Sequence, residues 1–368
     1  MSISLKYRDI NQRYIRDPRL GHRLGRNYPE NSHEDPIWNI RWLGTNQNGF
    51  YGQNNYVNLT KQSDTVRVIL LGGSAAMGLG ASSKETTIQA FLQKKFDVSF
   101  PNKKVEVLNC AVGDYSSAQS LAAFSLELIE YDPDIVVLFD GFNDFSHSCW
   151  GSKFSKGKWL PNTTRSFDDN LFAVLAWDGT LIRRDVIIDK WRRSNLGSKI
   201  QYYKKRFDKK SRILTHGTHG MIWDDPSLWS VKKEAIYWHL NNIQSIAGIC
   251  SIRDIKFLHC LQPCILWGHG KKLTDFESAR LKLFNTRMPN LYELAQSYFN
   301  LFIHEYNSVM TKLEKDTGSK KFRYFDGSSL FQEDIDTLFV DPIHFNDQGQ
   351  LVIAEQLFEF LLEMEIFQ

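Results

Sequence analysis

The chain has 368 residues, and 45 lysines and arginines against 42 aspartates and glutamates give it a formal net charge of +3. A charge this small argues neither for nor against a polyanionic partner, and no nucleic-acid partner is expected. No segment approaches the ~20 consecutive apolar residues of a membrane-spanning helix, and the N-terminus lacks the apolar stretch of a secretory signal. We therefore expect a cytoplasmic protein without an integral membrane segment.

The first 65 residues differ from the rest of the chain. They are polar and aromatic with poor hydrophobic periodicity, and they predict an N-terminal extension that packs on the main domain. From residue 66, short apolar runs alternate with segments of helical spacing. The predicted strands are 66–71, 105–108, 135–139, 255–261 and 322–325, and the predicted helices are 86–96, 117–129, 275–315 with a break at Pro289, and 346–364. This alternation predicts a parallel sheet with helices on both faces.

The alternation is interrupted over residues 150–250, which are rich in Trp, Lys and Arg. A segment of this length is too long for a plain loop, so we expect a helical insertion that acts as a lid or cap. Within it, residues 183–212 are strongly basic. This basic stretch predicts either a solvated helix face or a surface that attracts an anionic glycan, a nucleotide-linked substrate or a membrane.

The five cysteines do not suggest a disulfide framework. Their number is odd and their spacing is scattered: Cys110, Cys149, Cys250, Cys260 and Cys264. The four-residue spacing of the last two has no second pair to complete a zinc site. Buried, reduced thiols are expected, and no metal or cofactor is predicted.

Three polar or small residues follow successive predicted strands. Ser74 follows the first strand on a Gly-Gly turn, Gly113 follows the second, and Asn143 follows the third. Ligands of an open parallel sheet bind beyond the carboxyl ends of its strands. We therefore expect these three residues to meet at one edge of the sheet.

Near the C-terminus, Asp341-Pro342-Ile343-His344 supplies the remaining groups of a nucleophilic site. A serine hydroxyl needs a base to take its proton, and histidine is the usual one. A carboxylate on the other ring nitrogen fixes the tautomer and stabilises the cation that forms. The backbone N–H groups of Ser74 and Gly113 and the side-chain amide of Asn143 are the predicted donors of an oxyanion hole.

These residues also admit other interpretations. A serine on a Gly-rich turn can also bind phosphate at a helix start. Gly73 and Gly78 have the spacing of the two glycines in a Walker-type phosphate-binding loop, but the Lys-Ser/Thr that completes this motif does not follow them. The Gly-x-Gly-x-x-Gly pattern of dinucleotide-binding proteins is also not present. Gln262, at the end of a strand on the same edge, is a candidate for lining the substrate pocket. His147 and Trp150 are candidates for a sugar-binding wall, or equally for the core of the lid.

In the order and placement of four short blocks, the chain resembles the SGNH (GDSL-type) hydrolase superfamily. The blocks are Gly72-Gly73-Ser74, Asn109–Gly113, Gly141-Phe142-Asn143-Asp144 and Asp341–His344, and the likeness covers about 66–145 and 255–365. One departure is Gly73, where the family's name-giving motif has an aspartate that is not the catalytic one. The resemblance implies a three-layer α/β/α sandwich with a flavodoxin-like sheet over residues 66–368.

The same resemblance implies a serine esterase that hydrolyses a small, acetyl-like O-acyl ester. Members of bacterial surface-polysaccharide pathways have a similar Gly-Gly-Ser block, which favours a sugar or glycan as the alcohol. An O-acyltransferase with the same triad, in which a sugar hydroxyl replaces water, is the alternative. A non-catalytic carbohydrate-binding protein is the third possibility, disfavoured by the intact set Ser74, Asn143, Asp341 and His344. The oligomeric state is not indicated.

Overall fold

The computed structural model describes residues 14–17, 19–30, 40–149, 230–231, 233–268 and 270–366. The strands within these ranges are β1 (Tyr14–Asp17), β2 (Gly21–Leu24), β3 (Thr65–Gly72), β4 (Lys104–Asn109), β5 (Ile135–Asp140), β6 (Lys256–Leu261) and β7 (Phe322–Asp326). The helices are α1 (Ser74–Met77), α2 (Ile88–Ser99), α3 (Ser117–Leu126), α4 (Phe142–Cys149), α5 (Lys233–Ile252), α6 (Asp275–Arg287), α7 (Leu291–Thr317) and α8 (Asp347–Glu363).

A five-stranded, fully parallel sheet with the order β4-β3-β5-β6-β7 forms the centre of the described structure. Counted from β3, this is the order 2-1-3-4-5 of flavodoxin-like folds. Every residue of the central strand β5 is buried, which is why the strands appear in the sequence as continuous apolar runs. The predicted fold class is confirmed.

Helices cover both faces of this sheet, because side chains of each strand alternate between two apolar clusters. On one face, α2 and α8 meet through Phe96 and Phe358, whose ring centroids are 5.1 Å apart. On the other face, α3, α5 and α7 contribute Phe124, Ile243 and Phe299, all fully buried. Burial of side chains of this size stabilises the fold by about 1.5–3 kcal/mol each.

Two helices differ from the sequence-based expectation. Most of helix α5 lies within the predicted insertion 150–250, yet it packs on the sheet through residues such as Ile243 and Ile246. This part of the insertion therefore belongs to the sandwich. Residues 150–229, which include Trp150 and the basic stretch 183–212, lie outside the described residues. Helix α4 was not predicted, whereas the break at Pro289 separates α6 from α7 as expected.

The described part of the N-terminal segment packs against the main domain. Leu20 and Phe50 join the core cluster on one face of the sheet, and Leu24 and Trp42 join the other. Gln53 pairs with the backbone of the edge strand β4, accepting from Asn109 N at 2.9 Å and donating to the Val107 carbonyl at 3.1 Å. These side-chain bonds satisfy backbone groups that an edge strand would otherwise expose.

All five cysteines are buried and unpaired, in agreement with the expectation of reduced thiols. Burial raises the pKa of the Cys110, Cys250 and Cys264 thiols well above their ordinary range. Among the described residues, no helix combines the length and the apolar character that crossing a membrane requires.

Candidate active site

Ser74 begins helix α1 directly after strand β3. The strand ends at Gly72, whose φ of 142° is open to glycine but strained for other residues. A Cβ at Gly72 would lie 2.0 Å from the carbonyl oxygen of Phe139 on the neighbouring strand. The glycine therefore lets the chain turn sharply across β5, and this turn leaves the half-buried Ser74 at the carboxyl edge of the sheet.

Asp341 and His344 lie on a narrow loop that leads into α8. Val340 N donates to the His344 carbonyl at 2.9 Å, and Phe339 and Phe345 form an antiparallel bridge. Asn346 ends the loop by accepting from Gly349 N at 2.9 Å, which caps α8. The three-residue spacing of aspartate and histidine is thus held in a small, closed turn.

This loop carries His344 to Ser74, 270 residues away in sequence. His344 Nε2 lies 2.7 Å from Ser74 Oγ, and His344 Nδ1 lies 2.7 Å from Asp341 Oδ2. The carboxylate can only accept, so we assign the proton to Nδ1, and Nε2 then accepts from the serine hydroxyl. The three side chains form one continuous chain of hydrogen bonds.

The Asp341 carboxylate is buried but strongly held. Its other oxygen, Oδ1, accepts from the backbone N–H groups of Ile343 and His344, each at 2.8 Å. Burial by itself raises the pKa of this carboxyl, but the attraction of His344 and these hydrogen bonds outweigh it and hold the pKa below its ordinary value. Asp341 is therefore ionised at neutral pH.

Asn143 lies in the first turn of α4, and its amide reaches the serine loop. Its Nδ2 donates to the Tyr115 carbonyl at 2.8 Å. A Cβ at Gly73 would lie only 2.3 Å from the same nitrogen. The glycine at the position where the SGNH motif has aspartate thus leaves room for the Asn143 amide beside Ser74.

Gly113 lies on the loop after β4, next to the same turn. Val112 N donates to the Gly72 carbonyl at 3.1 Å, and a Cβ at Gly113 would lie 3.7 Å from Cε of Met77 in α1. Among the described residues, neither Gly113 N–H nor Ser74 N–H donates to another group. The structure therefore brings together all three predicted strand-end residues.

Two of the candidate substrate-binding residues are buried. His147 Nε2 lies 3.2 Å from Asp114 Oδ1, and burial lowers the pKa of His147 to about 4, so this ring is neutral at pH 7. Gln262 is 3% exposed, and its backbone N–H donates to the Asp140 carbonyl at 2.8 Å. Trp150 lies outside the described residues.

A fully buried cluster of Asp140, His239 and His259 was not predicted. Both histidines place Nε2 at 3.0 Å from Asp140 Oδ1, and Tyr306 Oη lies 2.8 Å from Nδ1 of His259. These are the side chains of the described structure that could hold a metal ion. The two distances of 3.0 Å from histidine Nε2 to Asp140 Oδ1 are those of N–H···O hydrogen bonds. Histidine N–H groups that donate to Asp140 therefore explain the arrangement of the cluster. Lone histidines within apolar runs gave no signal for it.

This cluster supports the end of β5, which leads into the first turn of α4 and Asn143. Burial lowers the pKa of His239, but Asp144 and Asp140 outweigh it and raise the pKa to about 9. Burial raises the pKa of Asp140, but His239 and His259 reverse this and leave it well below its ordinary value. A buried Asp140–His239 ion pair thus ties α5 to the end of β5, three residues before Asn143.

No family model matches the chain, and no curated protein matches it. Among solved structures, it is similar to the acetyl xylan esterase AlAXEase, with 14% identity over 80% of this chain and 98% of the other and a TM-score of 0.42. It is also similar to Axe2, an acetylxylan esterase from Geobacillus stearothermophilus, with 12% identity over 80% and 94% of the two chains and a TM-score of 0.39. Identity and structural agreement at this level do not determine an activity, which has to come from the side chains of the site.

Proposed function

We propose that this protein is a serine hydrolase that cleaves carboxylic esters. The observation that carries the proposal is the connected set Ser74–His344–Asp341, with both hydrogen bonds at 2.7 Å. A serine alone is a weak nucleophile, and a histidine–aspartate pair on its hydroxyl is the arrangement that activates it. A protein that only binds carbohydrate has no need for this chain of bonds.

In the proposed reaction, Ser74 Oγ attacks the ester carbonyl carbon while His344 Nε2 takes the hydroxyl proton. The imidazolium that forms is stabilised by Asp341. When the carbon–oxygen bond to the alcohol breaks, His344 returns the proton to the leaving oxygen, and the acyl group stays on Ser74. Water, deprotonated by the same nitrogen, then releases the acyl group and regenerates the serine.

The negative charge that develops on the carbonyl oxygen needs hydrogen-bond donors that point at the position of that oxygen. We assign this function to Ser74 N–H, Gly113 N–H and Asn143 Nδ2. Two observations support this assignment. Asn143 Nδ2 lies against Gly73, and among the described residues the backbone N–H groups of Ser74 and Gly113 donate to no other group. Each such donor typically accelerates acyl transfer by about 10²- to 10³-fold.

For the substrate, we propose a small, acetyl-like acyl group on a sugar or glycan hydroxyl, as the resemblance to SGNH hydrolases implies. Transfer of the acyl group to a second sugar instead of water uses the same groups of this site. The two reactions differ only in the acceptor. Analysis of the products with and without an added glycan acceptor therefore separates them, because a transferase forms a new ester only when the acceptor is present.

The test is hydrolysis of p-nitrophenyl acetate and of acetylated oligosaccharides by Ser74→Ala. We expect kcat to fall by about 10⁶-fold, with an unchanged thermal unfolding midpoint. The matched control is Ser82→Ala, which removes a hydroxyl that donates to Asp347 at 2.6 Å, and should keep its activity. A fluorophosphonate should label Ser74. Undiminished hydrolysis by Ser74→Ala would refute the proposal.

A further inference from the structure

The hairpin formed by β1 and β2 is fastened to the loop and helix that follow strand β4. Tyr115 Oη donates to the His22 carbonyl at 2.6 Å, and Gln119 Nε2 donates to the Leu20 carbonyl at 2.9 Å. Arg23 adds an ion pair with Glu127 at 2.7 Å. The hairpin therefore has a defined position relative to residues 113–119.

From this position, His22 reaches Gly113. Its Nε2 lies 2.9 Å from the Gly113 carbonyl oxygen, and because a carbonyl only accepts, Nε2 is the donor. The imidazole is held edge-on between two aromatic rings, 5.3 Å from Tyr14 and 5.2 Å from Tyr115 between centroids. A ring held on both sides fixes the direction of its N–H.

Tyr14, which also belongs to the hairpin, packs against Gly113 through its hydroxyl group. A Cβ at Gly113 would lie 2.3 Å from Tyr14 Oη. The hydroxyl thus occupies the space that any side chain at this position would need. Glycine at this position therefore lets the Tyr14 hydroxyl lie directly against the backbone of residue 113.

The Gly113–Asp114 segment needs this support. Asp114 has a φ of 73°, in the left-handed region, which residues other than glycine adopt uncommonly. The Asp114 carboxylate is bound by His147 from α4 at 3.2 Å, and the Gly113 carbonyl is bound by His22 from the hairpin. Two histidines on separate elements therefore hold this strained loop from two sides.

We propose that the β1–β2 hairpin is part of the active site. In this proposal His22 is a positioning residue for the Gly113–Asp114 loop, whose Gly113 N–H is a proposed oxyanion donor. His22 holds the Gly113 carbonyl and so fixes the Gly113–Asp114 peptide, while Tyr115 N, which donates to the Val112 carbonyl at 3.1 Å, holds the Val112–Gly113 peptide that carries the Gly113 N–H. The Gly113 N–H then points at the developing oxyanion without reorganisation. This inference rests on the proposed ester hydrolysis and extends it, since it adds a group from outside the four sequence blocks to the reaction.

The experiment compares His22→Ala with His22→Gln, because a glutamine side chain can place an N–H donor near the same carbonyl. We expect His22→Ala to lower kcat on p-nitrophenyl acetate by about 10- to 10²-fold, with KM changed less than about twofold, since ~1 Å errors at a reacting centre act mainly on turnover. His22→Gln should recover most of the loss. Gln119→Ala is the matched control, because it removes the hairpin anchor at the Leu20 carbonyl, together with the acceptor of Ser116 N–H, without a direct bond to Gly113.

A second readout follows the Gly113 amide by NMR in selectively labelled protein. The amide signal should move in His22→Ala and return towards its wild-type position in His22→Gln. Equal kcat losses in His22→Ala and Gln119→Ala, or an unmoved Gly113 amide, would overturn the positioning function. A wild-type protein without esterase activity would refute the proposed function instead, and the amide signal would still decide whether His22 holds the loop.

Discussion

Gly73 occupies the position of the SGNH aspartate, and its surroundings predict what a side chain would do there. Its backbone is extended, with φ −88° and ψ −157°, so alanine can adopt the same conformation. A Cβ at this position would lie 2.3 Å from Asn143 Nδ2 and 3.1 Å from the Tyr115 carbonyl oxygen. The effect of Gly73→Ala is therefore a steric conflict with the Asn143 amide.

The size of this conflict sets the expected loss of activity. A relaxed contact between such atoms is about 3.5 Å, so Asn143 Nδ2 has to move by roughly 1 Å and leave its 2.8 Å bond to Tyr115. A displacement of ~1 Å at a reacting centre can cost about 10²-fold in rate, and loss of one oxyanion donor costs about 10²- to 10³-fold. We expect Gly73→Ala to lower kcat by about 10²-fold.

The assay is p-nitrophenyl acetate hydrolysis by the wild type, Gly73→Ala, Asn143→Ala and the double variant. Since both changes act through one amide, the double variant should be no slower than Asn143→Ala alone. Thermal unfolding checks that the four proteins are equally folded at the assay temperature. A kcat of Gly73→Ala within threefold of wild type, or losses that multiply in the double variant, would refute this reasoning.

Two further predictions concern buried charges. Asp341→Asn should lower kcat by about 10⁴-fold, because an amide opposite Nδ1 favours the wrong tautomer of His344. A kcat within tenfold of wild type would count against the proposed base. The raised pKa of His239, about 9, predicts a stability contribution that is full below about pH 6.5 and is lost as the pH rises through 9. Urea unfolding should therefore show the wild type losing stability relative to His239→Gln between pH 6.5 and 9, whereas a constant difference would contradict the ion pair.

The parallel sheet and the groups at its edge were predictable because their signals are local. A strand buried on both faces is a continuous apolar run, and β5 is one over its whole length. Strand-end residues share an edge in any parallel sheet, so the sequence alone predicts that Ser74, Gly113 and Asn143 lie close together. The pairing with Asp341 and His344 followed from chemistry, since a serine nucleophile needs a base.

Other features have no local signal. Helix α5 has an ordinary helical pattern, and only its packing against the sheet shows that it belongs to the sandwich and not to the insertion. His239 and His259 are single polar residues in apolar surroundings, and their meeting at Asp140 joins two neighbouring elements to a residue 99 and 119 positions earlier in the chain.

The residues around Ser74 also fall into two groups, those that the sequence predicts and those whose contacts depend on the tertiary structure. Chemistry and strand order, both readable from the chain, are enough to propose Ser74 as the nucleophile, His344 as its base, and Ser74, Gly113 and Asn143 as the oxyanion donors. The close approach of Asn143 to Gly73 and of Tyr14 and His22 to Gly113 became visible in three dimensions. His22 and Gly113 are 91 residues apart, and a contact over such a distance depends on how the hairpin packs, which no pattern of neighbouring residues encodes.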